Sequence, residues 1–158
     1  MTLRHQSEKK VDLSMSMSPT HRMLPSHGST APTLPKPEVP QQAVVLTVQD
    51  GLPIMYSDDT IPVSAVRVVH PTNPVAPSRN HSIVMLYVPP HAEMALHSHE
   101  TEETYVIISG TGTMRRHGGD VEVSRGHFIY MPAWCDHGIK NTGMEMLTIL
   151  LATSPANP

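Results

Sequence analysis

The chain has 158 residues, a formal net charge of -3, sixteen prolines, eleven histidines and a single cysteine, Cys135. That length suits one domain with its own core, and a net negative chain with no Lys/Arg stripe excludes an electrostatic nucleic-acid binder. With no intramolecular disulfide to form, no apolar run long enough for a bilayer and no apolar secretory core at the N-terminus, a cytoplasmic protein without membrane contact is expected.

Residues 1–42 read as a disordered tail. Ser14 to Pro40 is rich in Ser, Pro, Thr, Met and His, and Pro32, Pro35, Pro37 and Pro40 break any helix. Such a segment buries too little apolar surface to offset its ordering entropy. His5, His21 and His27 are expected to be solvated there.

Residues 43–158 read as one barrel of short strands. Ala43 to Val48 is a β-branched run ended by Asp50-Gly51, and Ile61 to Val69 is a second strand. Pro71, Pro74 and Pro77 mark a loop. Ser82 to Val88 follows and stops at Pro89-Pro90, and Thr104 to Ser109 stops at Gly110. Gly112–Arg116 and Val121–Val123 flank His117-Gly118-Gly119-Asp120, a hairpin signal. His127 to Met131, His137 to Lys140 and Glu145 to Leu151 complete the set. No segment after residue 43 keeps a helical period, so the pattern predicts an all-β sandwich or barrel.

The chemistry gathers around four residues. In His97-Ser98-His99, residues two apart on a strand project to one face, as a single metal ion requires. Glu103 can return a carboxylate to that place after the turn Glu100-Thr101-Glu102, and His137 follows the turn from Pro132 to Asp136. Three imidazoles and a carboxylate suit one divalent Mn, Fe, Ni, Cu or Zn ion rather than Ca or Mg. Alternation from Glu103 points Tyr105, Ile107 and Ser109 inward as well. Tyr105 is then the candidate catalytic proton-transfer group, against the plainer reading of a core aromatic. Asn141 reads as a turn-fixing residue. Cys135 reads as a small buried or rim residue, and Arg115, Arg116 and Arg125 as solvated or as orienting an anionic substrate. His81, His91, His117 and His127 are not expected to be ligands.

The spacing from His97-x-His99 through Glu103 to Gly110 resembles the first cupin motif. That from Gly126 through Pro132 and His137 to Asn141 resembles the second. The resemblance covers about residues 80 to 152. It implies a double-stranded β-helix, or jelly-roll, barrel with the metal inside, held by His97, His99, Glu103 and His137. It also implies a homodimer. Two positions depart from the family pattern, which has glycine where this chain has His91 and Trp134. Trp134 could wall one side of a pocket, or cover the barrel rim or a dimer contact.

Four protein ligands leave coordination positions for water and then substrate oxygens. The leading expectation is an enzyme using the metal as a Lewis acid on a small oxygenated or carboxylate metabolite, as a lyase, isomerase or decarboxylase. The resemblance includes small cupin lyases that cleave dimethylsulfoniopropionate, which share His-x-His, Glu and a Tyr two residues on. An Fe-dependent dioxygenase and a non-catalytic metabolite-binding barrel are the alternatives.

Overall fold

The computed structural model describes residues 41–56 and 63–156 and positions 35, 38 and 39. The chain divides at Gln41/Gln42, and the fold is that of the second unit. The expected tail over residues 1–42 lies almost wholly outside the described residues. No helix among the described residues is long and apolar enough to cross a membrane.

The described residues form ten strands in order: β1 Leu52–Tyr56, β2 Val63–Val69, β3 Ser82–Val88, β4 Glu93–His97, β5 Glu102–Ser109, β6 Thr111–Arg116, β7 Val121–Ser124, β8 Phe128–Met131, β9 His137–Asn141 and β10 Leu147–Ser154. They form two antiparallel sheets, one ordered β1-β2-β3-β10-β5-β8 and one ordered β4-β9-β6-β7. This is the jelly-roll barrel expected.

Strict alternation builds the core. Val84, Leu86 and Val88 of β3, Tyr105 and Ile107 of β5, and Leu147, Ile149 and Leu151 of β10 are buried, while the residues between them are not. Met114, Val123, Met131 and Ile139 close the core from the other strands. Each such side chain contributes about 1.5–3 kcal/mol by leaving water. The outward side of the larger sheet is also apolar. Val66, Met85, Leu150, Val106 and Phe128 stand opposite one another across five strands. That is why β3 and β10 read in the sequence as continuous apolar runs rather than as an alternation.

Three expectations need correction. The run Ala43 to Val48 is not a strand: residues 41–47 are irregular and Val48–Asp50 is one turn of 3-10 helix. Asp50 captures the Thr47 N–H at 2.7 Å and its hydroxyl at 2.9 Å, and Val45 is 95% exposed. A local cap thus prevails where no neighbouring strand offers a ladder. Two strands lie outside the predicted runs: β4, which covers Glu93–His97, and β1, which tolerates Pro53 because it is a sheet edge. Finally, Ser109 is exposed rather than inward. Ile149 pairs with Ile107 but Thr148 with Ser109, so Ile108 is an extra residue in β5 and the alternation breaks there.

Candidate metal centre

β4 ends on His97 and β9 begins on His137, and the two residues are directly paired across the smaller sheet. Cross-strand partners share a face, so both rings enter the barrel, with centroids 4.3 Å apart. His99 lies two residues past the end of β4, not on a strand as expected. Its backbone is fixed instead by the Trp134 N–H, which donates to the His99 carbonyl at 2.7 Å. Its ring still converges, 4.9 Å from that of His137. Glu103 arrives from the other sheet as the second residue of β5 and is 3% exposed.

One ring nitrogen from each of His97, His99 and His137 lies within 4.8 Å of the other two. Glu103 Oε2 stands 3.0 Å from His137 Nε2 and 3.4 Å from His99 Nε2.

The hydrogen bonds around the rings fix what these atoms can do. His97 Nδ1 meets the Ala95 carbonyl at 2.8 Å, His99 Nδ1 the Thr101 carbonyl at 3.0 Å, and His137 Nδ1 the Cys135 carbonyl at 2.8 Å. A carbonyl only accepts, so each Nδ1 carries its proton and each Nε2 presents a lone pair. His99 Nε2, His137 Nε2 and Glu103 Oε2 are buried and have no hydrogen-bond partner among the described residues. Buried acceptors that face one another without a donor are costly. A divalent cation bonded to all of them removes that cost, so the residues fit the ion that the sequence implies. Backbone-anchored Nδ1–H groups are also the usual way of orienting metal-binding histidines.

Protonation follows the same geometry. Burial holds His97 below the usual imidazole value. Burial also opposes charge on His137, but the Glu103 carboxylate and the Cys135 carbonyl outweigh it and the pKa is raised.

The remaining candidates separate. Tyr105 is 1% exposed, with its ring edge-on to His137 at 6.2 Å between centroids and its hydroxyl 4.0 Å from Met94 Sδ. Asn141 is fully buried and fixes a turn: its amide donates to the Val88 and Glu145 carbonyls, and its oxygen accepts from the Gly143 N–H. Cys135 is half-buried, and Trp134 is 68% exposed. His91 and Trp134 have φ of 65° and 63°, the positive-φ non-glycine residues among those described. The left-handed turns of both motifs therefore persist without their glycines. His81, His91, His117 and His127 are exposed and stand outside the cluster.

The sequence reading missed Thr101. It is 4% exposed, and its hydroxyl lies 2.7 Å from His99 Nδ1. Its only signal was its place two residues after a candidate ligand, inside a stretch that read as an acidic turn.

Comparison with known proteins agrees with this geometry. Residues 84–153 match the model of the cupin domain. A predicted oxalate decarboxylase from Thermotoga maritima superposes with a TM-score of 0.60 at 21% identity, over 71% of this chain and 99% of the other. The polyketide cyclase RemF from Streptomyces resistomycificus gives 0.62 at 15%, over 74% and 82%. An RmlC-like cupin from Shewanella frigidimarina gives 0.58 at 14%, over 74% and 94%. No curated protein matches the sequence. Residues 84–153, which carry both histidine motifs on the two-sheet barrel, thus match the cupin domain, and the chain has the cupin fold.

Proposed function

We propose that the chain is a mononuclear metal-dependent enzyme acting on a small oxygenated or carboxylate metabolite, as a lyase, isomerase or decarboxylase. The observation that carries this reading is the gathering of the three imidazoles, two of which, His99 and His137, turn buried Nε2 atoms without a hydrogen-bond partner among the described residues toward the buried Glu103 carboxylate. A cation bound there supplies Lewis acidity to a substrate oxygen. His97, His99, Glu103 and His137 hold it and leave further coordination positions open. Tyr105, on the same face of β5 as Glu103 and edge-on to His137, is the proposed proton carrier. A carboxylate substrate is in keeping with the Thermotoga neighbour, itself a predicted oxalate decarboxylase, whose likeness to this chain is one of fold.

The test is a screen of small carboxylates and hydroxy acids with the Mn- or Zn-loaded protein, with and without oxygen. Turnover is expected to survive anaerobic conditions. In Tyr105→Phe it should fall by about 10²–10⁴-fold with metal content unchanged. A strict oxygen requirement would replace this reading with that of an oxygenase. Tight binding without product would make the barrel a binding module. Wild-type turnover in Tyr105→Phe would remove the tyrosine from the mechanism.

A further inference from the structure

One cation lies in line with the candidate centre. Register across the smaller sheet places His97 opposite His137, and His137 opposite Arg116. Directly opposed residues share a face with Cβ atoms about 4.5–5.5 Å apart, so Arg116 extends the histidine row onto the third strand. Met114, two residues earlier on β6, is 2% exposed and marks that face as the inner one. Arg116 itself is exposed. Its backbone thus stands where the barrel interior opens, at the end of the sheet that carries the metal donors.

The other two arginines do not share this place. Arg115 faces the opposite side of the sheet and stands 3.7 Å from Glu93. Arg125 follows β7, whose last residue Ser124 pairs with Thr111 at the far end of β6 from Arg116. No carboxylate among the described residues lies within ion-pair distance of Arg116.

Charge accounting gives this position a meaning. Three neutral imidazoles and one carboxylate around a divalent ion leave a net single positive charge. The guanidinium of the exposed Arg116 on the adjacent strand adds a second of the same sign beside it. We infer that Arg116 is a substrate-recognition residue that pairs with a carboxylate of the substrate while another oxygen of the same molecule occupies the metal, so that the ligands of this site are small dicarboxylates rather than neutral polyols. The planar fork of arginine suits a carboxylate in two parallel hydrogen bonds. This inference rests on the metal centre proposed above.

The experiment compares malonate with acetate by calorimetry on the Zn-loaded protein, with zinc content measured after each titration. Wild type should bind malonate more tightly than acetate. Arg116→Ala should weaken malonate by about 10–100-fold, the scale of a charge-assisted pair, and leave acetate and zinc unchanged. Arg116→Lys should retain part of the malonate affinity, and Arg115→Ala all of it. If wild type takes up no zinc, the metal centre falls and the carboxylate site with it. If zinc binds normally but Arg116→Ala keeps the full preference for malonate, the Arg116 site alone is overturned.

Discussion

Glu103 Oε2 and His137 Nε2 face each other at 3.0 Å across the two sheets of the barrel. Because His137 spends its one N–H on the Cys135 carbonyl, the neutral ring brings a lone pair to a carboxylate. Something positive has to lie between them, and a proton and a metal ion compete for the position.

That competition sets the first prediction. The pKa of His137 is raised, so in the metal-free chain the proton occupies this gap to a higher pH than on an ordinary histidine. His97, held below the usual value by burial, stays neutral to lower pH. Zinc must displace the His137 proton, so its affinity should climb by about tenfold per pH unit below that raised pKa and level off above it. Competition against a chelating indicator across about pH 5.5–8 checks this. An affinity independent of pH over that range would show that His137 is not a ligand.

Thr101 should matter although it cannot touch the ion. Its hydroxyl, 2.7 Å from His99 Nδ1, helps hold the ring. Thr101→Val preserves shape and removes that contact, and zinc affinity should fall by about 10–100-fold, the scale for outer partners of ligating histidines. Circular dichroism should show the fold unchanged. Unaltered affinity would mean that the Thr101 carbonyl alone orients His99.

Strain relief gives a third prediction. A side chain in the left-handed region costs about 1–2 kcal/mol, and glycine gives back part of that gain through its freer unfolded chain. His91 and Trp134 both occupy that region and both are exposed. His91→Gly and Trp134→Gly should therefore each stabilise the protein by about 0.5–1 kcal/mol in urea unfolding followed by circular dichroism. His91→Ala, which keeps a Cβ, should not.

The site was legible in the sequence because its information is local. The spacing of His97, His99 and Glu103 needs only a strand end and a turn, and β-branched runs stopped by Pro or Gly locate most strands. What was not legible depends on long-range register. No local signal tells that Ile108 is an extra residue in β5, which turns Ser109 outward, because the bulge is defined by Thr148 and Ile149 on a strand forty residues on. The same holds for Arg116, indistinguishable from Arg115 in the sequence and separated from it by pairing with His137. Ala43 to Val48 had strand composition, but Asp50 folds back on Thr47 before a partner strand is available.

The donor set also has a mechanical consequence. His97 and His137 hang from the four-stranded sheet and Glu103 from the six-stranded one, and among the described residues no hydrogen-bonded ladder joins the two sheets. One ion bonded to all three would rivet the layers together at the open end, where the core offers them only side-chain packing. Fraying there should then depend on occupancy: amides at the end of β4, the start of β9 and the start of β5 would exchange with solvent more slowly once the ion is in place. The Thr111–Ser124 end, where the Asn141 amide already bonds the Val88 carbonyl across the sheets, would exchange at the same rate in either state.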